Sequence, residues 1–380
     1  MDTEPFEFIK VLSDGSVERF TPSKAPASLD LYNGYKFKDV TIDPLKPITA
    51  RIFIPYDPNG NVAATAAGAT TLPVLVYFHG GGFCIGSTTW LGYHHFLGDL
   101  SATSKCVILS VDYRLAPEHK LPTAYDDCYT SLIWLSQQKP TDSWLQNANI
   151  LRVFLSGDSA GGNIAHQVAI RAIRDQKCPV NIAGIVPIHP YFGSEKRTDL
   201  EMKQESIDDV KSNDMFWRLS IPEGLDRDYE GCNLERMGVS MTEWRQFPNV
   251  LVFVAGLDFL KERGVAYAEF LNKKGVKVKL IETEGEKHVF HVFYPDSEST
   301  RWLNEERVDL GSQKVKLECS AIALIANKQT YELNENPEIS KKIETVGGCE
   351  KKKVDDYMGL GGQWVCVWLQ NMSLEMKSFA

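Results

Sequence analysis

The chain has 380 residues, 43% of them hydrophobic, and a formal charge of −9 from 41 Lys and Arg against 50 Asp and Glu, enough to bury a sizeable core in one large domain. The acidic balance argues against a nucleic-acid surface, whose clustered cations are represented only by Lys351-Lys352-Lys353, and no apolar stretch reaches the roughly 18 residues that span a bilayer. Residues Met1 to Pro5 lack the basic and apolar regions of a secretory signal, and the eight cysteines show no CxxC pairing, so a cytoplasmic chain with reduced thiols is expected over a disulfide or zinc framework.

In chain order, the apolar runs either side of Asp14-Gly15 predict a hairpin over residues 8–20. Further strands are expected at 37–42, 50–54, 74–78, 107–111, 153–156, 182–188, 250–254 and 276–281, with helical stretches between most of the later ones. That alternation predicts an α/β fold, its central sheet mainly parallel and covered on both faces, with antiparallel strands at the start. Residues 59–72 read as a low-complexity loop.

The strand at 74–78 runs into His79-Gly80-Gly81-Gly82-Phe83. Glycines there leave backbone N–H groups bare, and acyl transfer needs such donors at the oxygen that becomes negative in the tetrahedral intermediate. The segment matches the HGGG loop of esterases, and Cys84 just beyond it reads as packing. The strand at 153–156 leads into Gly157-Asp158-Ser159-Ala160-Gly161, with helix-compatible sequence from Asn163 to Ile170. A serine between two glycines on a strand-to-helix turn is forced toward solvent, which makes Ser159 the candidate nucleophile. Asp158 is expected to point away from the serine and to serve the elbow structurally.

A serine nucleophile needs a base and a carboxylate to orient it, and in the α/β-hydrolases, whose serine elbow this segment resembles, they follow in the order Ser, Asp or Glu, His. The strand ending near Gly256 delivers Asp258, the candidate carboxylate. After the strand at 276–281 come His288 and, three residues on, His291. His288 is preferred because it comes first and precedes a Val-Phe pair able to anchor it, although periodicity alone does not separate the two. His94, His95, His119, His166 and His189 have the wrong order or context and read as structural.

Together these segments resemble the hormone-sensitive-lipase-like branch of the α/β-hydrolases, specifically its plant carboxylesterases. The resemblance rests on His79 to Phe83, Asp112-Tyr113-Arg114-Leu115-Ala116-Pro117-Glu118, Gly157 to Gly162, Asp258 to Gly264 and His288-Val289-Phe290, in the family's order over about residues 6 to 297. It implies an α/β-hydrolase fold with a helical cap built from about residues 1–35 and 191–247. It also implies an oxyanion hole from the N–H groups of Gly81, Gly82 and Ala160, His288 as the base, and charged scaffold contacts for Asp112, Arg114 and Glu118. Phe83, Met215 and Trp217 are the expected substrate contacts. The activity implied is hydrolysis of a small, partly apolar ester through an acyl-serine, with neither metal nor cofactor and with no nucleic-acid or membrane partner. Family members that dehydrate hydroxyisoflavanones, cyclise alkaloid precursors or bind gibberellin are the alternatives. His288 argues against the receptor, which lacks that base, Ser159 favours esterase over dehydratase, and the intact triad speaks against a cyclase.

Residues 1–310 are therefore assigned to the hydrolase domain. From Gly311 the resemblance ends, and 311–380 are read as an unassigned extension, either an accessory tail or sequence running past the normal end of the protein, with the second reading preferred.

Overall fold

The computed structural model describes residues 8–28, 30–57, 59–63, 71–175 and 177–308. The expectations for 311–380 lie outside them.

The predicted hairpin forms: β1 (Ile9–Val11) and β2 (Val17–Arg19) pair antiparallel with Ile9 opposite Arg19, and Gly15 takes φ 85° in the turn. The sheet that follows has eight strands. They are β3 (Tyr35–Asp43), β4 (Ile48–Pro55), β5 (Leu72–Phe78), β6 (Val107–Asp112), β7 (Ala148–Asp158), β8 (Ile182–Ile188), β9 (Asn249–Ala255) and β10 (Val278–Thr283), in the spatial order β10-β9-β8-β7-β5-β6-β4-β3. Pairing is antiparallel for β3 with β4 and for β4 with β6, and parallel from β6 to β10. All seven residues of β5 are buried, so both faces of the sheet are covered there.

Helices supply that cover. The chain runs through α1 (Leu91–Ser104), α2 (Thr123–Gln138), α3 (Ala160–Arg174), α4 (Ile207–Ser220), α5 (Met241–Trp244), α6 (Lys261–Lys273), α7 (Phe290–Phe293) and α8 (Glu298–Val308). α1 packs on α7 and α8, while α3 packs on α2 and against β7 and β8. Each βα unit returns the chain so that the loops after β5, β7, β9 and β10 emerge at one edge of the sheet, where open α/β sheets carry their ligands.

Of the strands, only β8 has both ends where expected, and two of the differing boundaries have a clear local reason. β10 begins at Val278 and not 276, because the Val276 N–H bonds the Leu271 carbonyl and finishes α6. β7 begins at Ala148 because Leu72 and Pro73 pair with Ala148 and Asn149 ahead of a register shift. The segment 191–247, irregular by sequence, contains the fourteen-residue α4.

The DYRLAPE segment fastens the scaffold. Asp112 accepts from the Thr88 N–H at 2.7 Å, Arg114 grips Asp127 through two nitrogens at 2.9 and 2.7 Å, and Glu118 takes two bonds from Arg19 at 2.9 and 2.6 Å. Arg19 also donates to the carbonyls of Cys84 and Ala116. The N-terminal hairpin is thereby tied to the glycine loop.

Candidate active site

β7 ends at Asp158 and α3 starts at Ala160, which leaves Ser159 alone to turn the chain, at φ 51° and ψ −117°. That region costs a non-glycine residue about 1–3 kcal/mol and persists only when its surroundings over-determine it. Here the Ser159 N–H donates to the Ile188 carbonyl at 2.9 Å, and its own carbonyl accepts from the N–H groups of Gly162, Asn163 and Tyr191. The bend carries the side chain off the sheet and into a cavity.

Opposite lies the loop after β5. Gly81 and Gly82 have φ of 103° and 57°, and both would be crowded by a side chain. A Cβ on Gly81 would sit 2.3 Å from the Ile85 carbonyl oxygen, and one on Gly82 would sit 2.6 Å from Cγ of Phe216. The loop is held by Cys84 and Ile85 N–H bonds to the Gly81 carbonyl and by the Gly80 N–H, which reaches the Tyr93 hydroxyl at 2.8 Å and Asp158 Oδ1 at 3.1 Å. None of these bonds uses the N–H of Gly81 or Gly82, and both glycines line the cavity. Ala160 is the first residue of α3, where N–H groups have no carbonyl within the helix to bond.

Asp158 turns beneath this loop. Its carboxylate accepts from the hydroxyls of Tyr77 at 2.6 Å and Tyr93 at 2.8 Å as well as from Gly80. Burial pushes its pKa up, more than those hydrogen bonds pull it down. The structural role expected at the elbow therefore extends to the glycine loop.

Asp258 follows β9 and His288 follows β10. His288 Nδ1 lies 2.6 Å from Asp258 Oδ2, and His288 lines the same cavity as Ser159. His291 is fully buried against Phe96, at 4.6 Å between ring centroids, and is not among the cavity walls. Burial alone would raise the Asp258 pKa, but the charge and hydrogen bond of His288 outweigh it and hold the carboxyl below its usual range. For His288 burial acts downward, and Asp258, with smaller contributions from Asp158 and Asp209, lifts it above the ordinary imidazole value. His189 sits behind them: its Nδ1 accepts the Val289 N–H at 2.9 Å, which fixes the residue after His288 at φ 48°. Ligand atoms of His189, Asp258 and His288 fall within 4.8 Å of one another, the spacing of a metal site. Within this group Asp258 Oδ2 already pairs with His288 Nδ1, and His189 Nδ1 with the Val289 N–H.

The substrate contacts expected from sequence are placed differently. Phe83 is buried, with its ring 5.5 Å from Trp217, and Trp217 stacks flat on Tyr191 at 4.4 Å. Met215 is partly buried against the core. None of the three lines the cavity, whose apolar wall includes Phe8, Ile85, Trp90, Phe216, Phe259 and Val292. Of the Met215-Phe216-Trp217 run, helical geometry points only Phe216 at the site. The sequence gives no signal for Tyr93 or for a role of His189 at the site, and it does not tell Phe216 from its apolar neighbours, because each works through a partner distant in the chain.

Comparison with known proteins bears on this arrangement. Residues 75–292 match a family described as having the alpha/beta hydrolase fold. A protein of Arabidopsis thaliana named Probable carboxylesterase 6 is 38% identical over 290 residues, 75% of this chain and 82% of that one. A Tulipa gesneriana protein named Tuliposide A-converting enzyme 2, chloroplastic, is 36% identical over 299 residues, 77% of this chain and 73% of that one. Among solved structures, an esterase of Pyrobaculum calidifontis superposes with a TM-score of 0.60 at 29% identity, over 72% of this chain and 83% of that one. Among the described residues no helix is long and apolar enough to cross a membrane.

Proposed function

The chain belongs to the alpha/beta hydrolase family, in its plant carboxylesterase branch, and from that premise we propose that it hydrolyses small carboxylic esters through Ser159, His288 and Asp258. The observation that carries this reading is the 2.6 Å bond between His288 Nδ1 and Asp258 Oδ2, made at a cavity that Ser159 and His288 both line.

With Nδ1–H donated to Asp258, the other ring nitrogen of His288 is left as an acceptor. His288 takes the Ser159 proton as the hydroxyl oxygen attacks the ester carbonyl. The developing oxyanion is met by the N–H groups of Gly81, Gly82 and Ala160, which need no reorganisation because the glycine loop and the head of α3 are already fixed. Collapse of the intermediate expels the alcohol, which receives the proton from His288 and leaves an acyl-serine. Water, deprotonated by the same imidazole, attacks the acyl-serine; His288 then returns the proton to Ser159 as the carboxylic acid departs. The low pKa of Asp258 keeps it ionised throughout, so it steadies the imidazolium without taking its proton.

A cavity of about 110 Å³ with a largely apolar lining suits short esters over long-chain lipids. We assign the cap role to the hairpin that carries Phe8 and to α4, both of which reach the cavity, and we propose a cytoplasmic location. Labelling with a fluorophosphonate tests the mechanism. Ser159 should be modified in the wild type, and Ser159→Ala should lose both labelling and turnover of short aryl esters. Tight binding of a diterpenoid hormone without any ester turnover would favour a receptor instead.

A further inference from the structure

The cavity walls divide by chemistry. Against the apolar side stands one face of α4, where Asp209, Ser212, Asn213 and Phe216 all reach the cavity. Their spacing of three, four and seven residues from Asp209 places them on one helical stripe. Phe216 anchors that stripe to the site, since its ring lies where a side chain on Gly82 would be, and the Tyr191–Trp217 stack holds the helix from behind.

Among the residues lining the cavity, Asn213 and Trp90 each hold a buried polar atom without a partner, and that of Asn213 is the acceptor. Asn213 is 3% exposed and its amide oxygen has no hydrogen-bond partner among the described residues, although the Tyr191 hydroxyl donates to its backbone carbonyl at 3.1 Å and fixes where it stands. A buried amide acceptor left unbonded is costly, and native proteins keep few of them without a use. The neighbouring groups have the same polarity. The Ser212 hydroxyl spends its proton on the Asp208 carbonyl at 3.0 Å and is left with lone pairs, and the half-buried Asp209 brings a carboxylate side chain to the same wall. Acceptors thus outnumber donors on the stripe, where the Asn213 NH2 supplies the side-chain donor.

We propose that Asp209, Ser212 and Asn213 form a subsite for a free hydroxyl group, so that the preferred esters carry one beside an apolar body. This rests on the esterase reading above. A hydroxyl donates and accepts at once, and the Asn213 amide turns readily about its last torsion, so either end of it can be satisfied. A quaternary ammonium group offers no N–H and would leave Asn213 as it is.

Two measurements on the full chain test the subsite apart from the chemistry. In the Ser159→Ala protein, calorimetric titration compares 4-hydroxybutyl acetate with pentyl acetate, and ethyl 6-hydroxyhexanoate with ethyl heptanoate. These pairs place the hydroxyl on the alcohol and on the acyl side. In at least one pair the hydroxylated ester should bind about tenfold tighter or more, and adding Asn213→Leu or Asp209→Asn should shrink that ratio severalfold, with folding checked by circular dichroism. Equal affinities in both pairs, a ratio untouched by either substitution, or a preference for acetylcholine would overturn the proposal. Turnover and fluorophosphonate labelling of the wild type report on the esterase reading separately. Preference without turnover would sink that reading alone, and turnover without preference would sink the subsite alone.

Discussion

The Tyr93 hydroxyl donates to Asp158 Oδ2 at 2.8 Å and accepts the Gly80 N–H at 2.8 Å, so one phenol from α1 joins the serine elbow to the glycine loop. Burial and the neighbouring Asp158 charge push the pKa of that phenol far up, which keeps it protonated and donating at any working pH. The relative position of the nucleophile and the expected oxyanion donors is set by this bond and its companion from Tyr77.

Replacing Tyr93 by Phe removes the hydroxyl and keeps the ring. Asp158 then loses a buried donor, a loss of about 1–3 kcal/mol, and thermal unfolding of the Tyr93→Phe protein should show it. Because the loop is loosened at the oxyanion side, kcat should fall more than KM rises. Unchanged kcat with unchanged stability would remove Tyr93 from this role.

The pH profile follows from the direction of the His288 shift. A protonated imidazole cannot accept the serine proton, so activity is present above the His288 pKa and is lost as pH falls through it. Since Asp258 raises that pKa, the acidic limb of kcat/KM should lie above about 6.5, the ordinary imidazole value. Asp258→Asn should move the limb to lower pH and reduce kcat by roughly 10³ to 10⁴. Rates measured from about pH 4 to about pH 9 on both proteins check this, and a flat wild-type profile down to about pH 4 would contradict His288 as the base.

Gly82→Ala introduces a Cβ into the Phe216 ring at a left-handed backbone position. The loop must shift away from the developing oxyanion, and kcat should drop at least about tenfold. Adding Phe216→Ala removes the ring but leaves the residue's own Cβ 2.8 Å away and the backbone strain in place, so recovery should be partial. Full recovery would mean that sterics alone matter at this position.

Arg19→Met cuts the hairpin from Glu118 and from the carbonyls of Cys84 and Ala116. Phe8 reaches the cavity from that hairpin. The expected outcome is a KM for apolar esters raised about three- to tenfold with a smaller change in kcat, because an apolar wall at Phe8 holds ground state and transition state alike. Steady-state kinetics on an ester series of increasing acyl length would reveal it.

The strands and the order of the site segments were legible in the chain because their signals are local. A buried strand is a short apolar run, and a serine elbow or a glycine loop is a turn whose backbone demands write themselves into consecutive residues. The choice between His288 and His291 was not local. Three residues apart, they are separated by the αL turn at Val289, which leaves one ring on Asp258 and closes the other against Phe96. The cap misled sequence reasoning for a related reason: Met215, Phe216 and Trp217 are equally apolar, and only the docking of α4 decides which of them faces the cavity.

By itself, then, the sequence determined the sheet, the family and the residue types able to carry ester chemistry, since each follows from periodicity or from a turn a few residues long. Tertiary structure alone decided that Asp158 reaches the Gly80 N–H, that His189 braces the residue after His288, and that the Asn213 amide oxygen stands buried and unbonded at the cavity. Those relationships join groups tens of residues apart in the chain, and no local pattern encodes a meeting whose two halves come together only when the sheet has brought their loops to the same edge.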